Sequence, residues 1–360
     1  MSDAKQDFER IRDAALAADQ ALAAALSARA KAVTELAELR RREPDAYYSL
    51  PRDSEVIGRV LELVQVFPKD AVPAVMKEVL SGCAGLVAPI EVVYAGQEGG
   101  IGHLAARTQF GTSARLRAVD SAETLLSEIA RGHAAFGLLP FETSYDGAVT
   151  QTLNLLARSD VKICAEVPIR RAFHLLSKSG ERSDVKKIYA APSSLAACEK
   201  YLAKNFPRAV LIDTRSHLLA AQNAKEDPDA AALGTDVAAE LTGLAIVERS
   251  VEDVPDLDTC YVAVGNDHSP RTGLDRTAVV VALHDAPGVL IDCLRPFADR
   301  KINVYRLETR PARGWEFRYL ILVEVDGHIT DRSVLAAVED LRTAGRYVKV
   351  LGSYPRVKER

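Results

Sequence analysis

Tyr94-Ala95-Gly96-Gln97-Glu98-Gly99-Gly100-Ile101-Gly102-His103-Leu104-Ala105-Ala106 follows a short β-rich run at 91–94 and opens a helical one. A strand therefore passes straight into a helix, which is the unit from which α/β sheets are built. The glycines permit a tight turn at that junction. They would equally let backbone N–H groups approach an anion at the helix N-terminus. Neither the dinucleotide spacing G-x-G-x-x-G nor a Walker pattern occurs, which disfavours dinucleotide and ATP binding.

Outward from this stretch the texture repeats. Strand candidates lie at 91–94, 135–139, 163–167, 187–189, 209–212, 231–233 and 259–264, with helical runs such as 122–132 and 194–206 between them. That alternation predicts an α/β region with a largely parallel sheet. Upstream of Pro89 the character is different. The first 42 residues hold neither Gly nor Pro, and Phe8, Ile11, Ala15, Ala18, Leu22, Leu26, Val33, Leu36 and Leu39 recur at spacings near three and four. This predicts one helix of about ten turns, too long to bury its own stripe without a partner helix or chain. Glu43-Pro44 ends it, a second helix is expected from Pro51 to Phe67, and a third from 69 to 86. Downstream, the polar segment 265–273 reads as a linker. The remainder follows the order strand, helix, strand, strand, helix, strand at 277–283, 289–300, 302–308, 317–325, 331–344 and 348–353, a split βαβ pattern. The expected fold class is thus multidomain, α plus α/β plus α+β, with parts at 1–88, 89–268 and 274–360.

Net charge is −4 over 360 residues, so there is no basic footprint for nucleic acid and no cationic face for a membrane. No apolar run reaches the ~18–20 residues that span a bilayer. The five cysteines are scattered and form no CxxC pair, so no zinc site or disulfide framework is expected, and thiols in a reducing cytoplasm are. No cofactor is implied.

On the first helix Arg29 and Arg40 are eleven residues apart, about 20° from eclipsed, so both face one side. Arg12 points elsewhere, towards a neighbouring subunit, and Arg52 opens the second helix. Four guanidiniums converging on a bundle core suit a small dicarboxylate, because Arg pairs with carboxylates through two parallel hydrogen bonds. By spacing alone they equally describe a solvated helix face.

Residues 8–86 resemble the all-helical type of chorismate mutase, an intertwined dimer whose first helix spans both subunits. Arg12, Arg29 and Arg52 match three substrate-binding arginines of that family, and Arg40 stands for its usual lysine. The resemblance implies rearrangement of chorismate to prephenate by holding a compact conformer and stabilising charge on the ether oxygen. Val87 stands where the family has Gln or Glu, and Ser49 where it has an acid.

From 90 to 265 the order of motifs resembles prephenate dehydratase. Leu139-Pro140-Phe141-Glu142-Thr143-Ser144-Tyr145-Asp146-Gly147 matches the Pro-x-Glu-Asn-Ser stretch, with Thr143 for Asn, which implies substrate contacts from Glu142, Thr143 and Ser144. Glu252-Asp253 and Asp258-Thr259-Cys260-Tyr261 sit where the family has Thr-Arg-Phe. The resemblance makes Thr259 the catalytic hydroxyl, assisting loss of the ring hydroxyl from prephenate in a cleft between two α/β subdomains. Cys260 replaces the arginine, Gly100 a threonine, Ala191-Pro192-Ser193 the usual His-Pro-Gln, and His217 another threonine.

Asp285-Ala286-Pro287-Gly288-Val289-Leu290, Leu307-Glu308-Thr309-Arg310-Pro311 and Gly352-Ser353-Tyr354-Pro355 resemble, in order, three motifs of the ferredoxin-like ACT regulatory domain. They imply L-phenylalanine binding by Gly288, Val289, Leu290, Glu308 and Thr309 at an interface between two copies, with feedback on the cleft. The whole chain therefore resembles the bifunctional chorismate mutase–prephenate dehydratases, homodimers acting on chorismate and prephenate. The substitutions leave two other readings open: a phenylalanine sensor without catalysis, or altered chemistry on prephenate.

Overall fold

A computed structural model describes residues 3–42, 53–87, 90–144, 147–255, 258–283, 286–311, 319–344 and 347–357. The chain clusters into two compact units, Met1–Ile90 with Phe110–Arg115, and Glu91–Gln109 with Leu116–Arg360.

The first unit holds α1 (Asp3–Arg42), α2 (Asp53–Leu63) and α3 (Val72–Val87), with α3 packed on both of the others. With 40 residues α1 is about 60 Å long. Its apolar stripe is covered only towards its C-terminal end, where Val33 and Leu36 are half-buried. Phe8 remains 69% and Leu22 61% exposed, so much of the stripe is left for a partner. The second helix is shorter than expected, because the chain leaves helical geometry at Val64, ahead of Pro68. Pro44 and Pro51, on which the expected helix boundaries rest, lie outside the described residues.

The second unit runs β1 (Glu91–Ala95), α4 (Ile101–Phe110), β2 (Arg115–Val119), α5 (Ala122–Ala130), β3 (Phe136–Thr143), β4 (Gly147–Ala148), α6 (Thr150–Arg158) and β5 (Lys162–Arg170). It crosses to a second lobe with β6 (His174–Ser177), β7 (Lys187–Ala190), α7 (Pro192–Ala197), α8 (Glu199–Asn205), β8 (Val210–Asp213), α9 (His217–Glu226), β9 (Ala230–Gly234), α10 (Asp236–Thr242) and β10 (Ala245–Glu248). It then returns through β11 (Asp258–Gly265) and closes with β12 (Asp275–Leu283), α11 (Val289–Asp299), β13 (Val304–Pro311), β14 (Tyr319–Asp326), α12 (Arg332–Ala344) and β15 (Tyr347–Pro355).

The strands form two sheets. One follows the order β13-β14-β12-β15-β5-β11-β3-β1-β2, with the short β4 beside β3; the other follows β10-β6-β9-β7-β8. The expectation of a largely parallel sheet is corrected here. β1 pairs parallel with β3, but β11 runs antiparallel to both β3 and β5. In the second sheet β7 is parallel to β8 and β9, while β6 opposes both β9 and β10. The reason is the path of the chain: having built the second lobe, it re-enters the first sheet as β11 from the far end. A hydrophobic run specifies a strand and not its direction. The single helix expected at 194–206 is broken at Cys198, whose φ −119° and ψ 18° depart from helical values. Asp253 then accepts from the backbone N–H groups of Lys200 and Tyr201, both at 2.7 Å, capping α8.

The C-terminal part has the expected βαββαβ order with β13, β14, β12 and β15 antiparallel. β12 is buried along its whole length. Its alternate side chains serve two cores: Ala278, Val280 and Ala282 join Leu153 and Leu156 of α6, whereas Val279 and Val281 join Phe297, Val334 and Val338 of α11 and α12. The segment read as a linker is held down. Asn266 Nδ2 donates to the Ile129 carbonyl at 3.1 Å and Arg271 Nε to Asp331 at 2.6 Å. β15 also pairs with β5 at Gly352 and Ile163, which makes one continuous sheet.

That seam has no room for a side chain, since a Cβ on Gly352 would meet the Ile163 backbone. Gly352→Ala should destabilise the protein by about 1–3 kcal/mol. Urea unfolding is the check, and an unchanged midpoint would show that the two strands part without cost.

Candidate active site

Between the two lobes of the second unit lies a cavity of about 370 Å³ lined by Thr143, Ser144, Asp258 and Thr259 from the first sheet and by Ala196, Ala197, Glu199 and Lys200 from α7 and α8. Arg171, Asp253 and Val254, on the two segments that cross between the lobes, complete it. Thr259 is 7% exposed and sits opposite Thr143 in the β11–β3 register. The strand ends are locked together, since the Ser144 N–H donates to the Asp258 carbonyl at 2.9 Å and the Asp258 N–H donates to Ser144 Oγ at 3.1 Å. The structure thus brings Thr143, Ser144 and Thr259 to one place. It adds two cations for which no motif called. Arg171 leaves β5 at the crossing point, its guanidinium carbon 5.9 Å from the Phe173 ring centroid, and Lys200 opens α8. The hint in the sequence for Arg171 is a basic pair, Arg170-Arg171, at the end of this strand.

Glu142 is not among these residues. Successive side chains of a strand point to opposite faces, and Glu142 turns to the far face of β3, where Arg306 of β13 donates to its carboxylate. Cys260 parts from Thr259 in the same way. Glu142 and Cys260 line a second cavity of about 290 Å³ with Glu166, Arg170, Arg276, Tyr305 and Arg306. Whatever Cys260 replaces, the loss falls on this face and not beside Thr259. Burial, reinforced by Glu166, pushes the Cys260 thiol up to about 12, so it stays protonated at neutral pH.

The second cavity is walled by buried charge. Arg276 Nη1 donates to Glu166 at 3.3 Å, Arg306 Nε stands 3.2 Å from Glu324 Oε2, and the Tyr354 hydroxyl donates to Glu324 at 2.9 Å. Glu324 is 0% exposed; its burial, with the nearby carboxylate of Glu166, pushes its pKa up to about 7 against the pull of Arg306. Burial would depress Arg306, but Glu324, Glu142 and Glu166 outweigh it and hold its pKa above the usual arginine value.

The glycine turn after β1 is bonded at three of its N–H groups. The N–H groups of Gly96, Gly99 and Gly100 donate to the Val119 carbonyl, His103 Nδ1 and the Gln97 carbonyl at 3.2, 3.1 and 3.1 Å. Gly99 has φ +76°, which only glycine adopts without strain. These glycines form the tight turn that their spacing permits. His103 stacks on Tyr94 at 5.1 Å and His217 lies 5.3 Å from Phe173, and burial lowers the pKa of both, so they are neutral rings in packed surroundings.

On α1, Arg12 is exposed and paired with its neighbour Asp13 at 3.1 Å, while Arg29 is half-buried with Nη1 shielded from solvent and without a hydrogen-bond partner. The Arg40 side chain, Arg52 and Ser49 lie outside the described residues. Gly288, at φ +82°, precedes α11, and Val289 and Leu290 form its first turn. Glu308, bonded to Arg310 at 3.0 Å, and Thr309 lie near the end of β13. Tyr319 pairs with both Leu283 and Pro311, which puts the β12–α11 turn and the end of β13 at the same end of the sheet.

A family model for prephenate dehydratase matches residues 92–269, the two lobes and the cleft between them. The crystal structure of prephenate dehydratase in complex with L-Phe from Arthrobacter aurescens superposes with a TM-score of 0.64 at 31% identity, over 74% of this chain and 89% of that one. The second unit is therefore of the prephenate dehydratase α/β fold. The bifunctional chorismate mutase/prephenate dehydratase of Stutzerimonas stutzeri is 31% identical over 345 residues, 94% of each chain. That of Aquifex aeolicus is 31% identical over 343 residues, 94% of this chain and 95% of the relative. The chain belongs to the bifunctional chorismate mutase/prephenate dehydratase family.

The raised pKa of Glu324 carries a pH signature. The folded state holds this proton more tightly than the unfolded chain, so its contribution to stability is complete below the ordinary carboxylate value near 4.5 and is lost as pH rises towards 7. Glu324→Gln should flatten the fall in unfolding free energy across that window. A slope unchanged by the substitution would assign it to other groups.

Proposed function

We propose that this protein rearranges chorismate to prephenate in its helical part, residues 1–88, and converts prephenate to phenylpyruvate in the cleft of residues 89–268. Residues 274–360 act as an ACT regulatory domain responsive to L-phenylalanine. The observation that carries the reading is the cleft, a cavity of about 370 Å³ whose lining brings Thr143, Ser144 and Thr259 together with the cations Arg171 and Lys200. Its volume lies within the range of small-molecule sites.

Prephenate is a dianion, and Arg171 and Lys200 supply a cation for each carboxylate. In the dehydration the bond to the ring carboxylate breaks, carbon dioxide leaves, and the electron pair moves into the ring as the C–O bond opposite it breaks. Thr259 hydrogen-bonds the departing hydroxyl, which leaves as water once it gains a proton. Ser144 keeps the ends of β3 and β11 in register under the substrate. In the helical part, Arg29 and Arg40 hold the chorismate carboxylates, with Arg52 from the second helix and Arg12 from a second copy. The exposed stripe of α1 supports such a homodimer. Gly288, Val289, Leu290, Glu308 and Thr309, gathered at one end of a sheet, form the phenylalanine site.

Incubation with chorismate, followed by mass-resolved chromatography, should give prephenate and then phenylpyruvate. Arg29→Ala should abolish the first step and spare the second. Arg171→Gln should do the reverse, lowering kcat/KM on prephenate by about 10- to 100-fold for the loss of a charge-assisted hydrogen bond. No turnover of either substrate by the unaltered protein would overturn the reading in favour of a non-catalytic phenylalanine sensor.

A further inference from the structure

The hairpin of β3 and β4 carries Thr143 and Ser144, and its two strands meet at Glu142 opposite Ala148 and Thr143 opposite Gly147. A two-residue strand such as β4 cannot hold a hairpin in place by its own ladder. β11 fixes one edge of it through the Ser144–Asp258 bonds, and a second hold comes from β13, in the C-terminal part of the chain. Arg306 donates to the Glu142 carboxylate, and Arg310 Nη2 lies 3.4 Å from the Ala148 carbonyl. The two arginines are four residues apart on one strand and so share a face, and the two groups they reach are directly paired with each other. Arg306 is itself backed by Glu324, which Tyr354 holds in turn. Arg310 is backed by Glu308 at 3.0 Å.

We propose that Arg306 and Arg310 are positioning residues that clamp the β3–β4 hairpin and thereby set the placement of Thr143 and Ser144 in the cleft. β13 also bears Glu308 and Thr309, so one strand joins the regulatory residues to the catalytic hairpin. A ligand that shifts β13 would move Glu142 and Ala148 together. Coupling by this route needs no change in the second lobe. The catalytic half of the proposal rests on the dehydratase reading above, whereas the clamp itself does not.

The test is amide hydrogen exchange on the full chain, with dehydratase kinetics alongside. In Arg306→Met, exchange across 142–149 should rise at least tenfold while the β6–β7–β9 amides keep the rate of the unaltered protein. kcat on prephenate should fall about tenfold with KM changed less, and phenylalanine should inhibit less. Arg306→Lys should recover part of both effects, because it restores the charge but not the forked donor. Arg310→Met should act in the same direction, and together with Arg306→Met it should add less than its own effect, as two jaws of one clamp. Should Arg306→Met not fold, Glu142→Gln removes the charge on the acceptor with almost no change of shape, weakens the same bond, and is read in the same way. Unaltered exchange at 142–149 in a folded variant overturns the clamp whatever the kinetics. Faster exchange with kcat and inhibition unchanged overturns its catalytic role. An unaltered protein inert on prephenate sinks the dehydratase reading, and the exchange result then decides the clamp alone.

Discussion

Strand β11 is hydrogen-bonded along both edges, to β3 on one side and β5 on the other, and the site depends on the two-residue period this imposes. A strand paired on both sides cannot rotate or slip by one residue without turning its whole set of side chains to the wrong face. Thr259 is therefore committed to the cleft and Cys260 to the charged cavity behind it. The same constraint acts on β3, dividing Thr143 from Glu142. Two neighbouring motif residues thus serve two different surfaces, the cleft and the charged cavity behind it.

The surface behind the cleft is unusual in what it buries. Three carboxylates, Glu142, Glu166 and Glu324, face Arg276 and Arg306 where the C-terminal part of the chain meets the catalytic sheet. Such a cluster is a weak source of net stability, because desolvation offsets most of the attraction. Adhesion comes instead from apolar packing of the alternate residues of β12 against α6 and from the β15–β5 pairing. The charges contribute directionality: Arg276 is paired with Glu166 and Arg306 with Glu142 and Glu324, and misplacing either leaves a charge buried without its counterpart. An interface organised in this way has few alternative arrangements.

Much of the architecture was legible before any coordinates. The βαββαβ order emerged because its strands are long, its helices amphipathic and its turns marked by Gly288 and the polar run at 265–273. The ten-turn helix was legible from the absence of Gly and Pro in the first 42 residues. The short strands β2, β4, β6 and β10 were not, although β7 and β8, of similar length, were. Strand direction was illegible for a different reason, being set by the route of the chain through the second lobe. The split at Cys198 depends on Asp253, more than fifty residues away. In the cleft, Thr143, Ser144 and Thr259 were identified through motifs. Arg171 and Lys200 belong to none, and only the folded chain places them there. Glu142 lies in the same motif as Thr143, and only the pleat separates the two.

The division of labour between adjacent residues of β11 can be measured directly by comparing Thr259→Val and Cys260→Ala in steady-state conversion of prephenate, with unfolding midpoints as controls. The account predicts that Thr259→Val loses about 10²–10³ in kcat with a native midpoint, as expected for a donor to a departing group. Cys260→Ala should keep kcat within a few-fold. Loss of turnover in Cys260→Ala with Thr259→Val near native would contradict it and place the chemistry on the opposite face of the sheet.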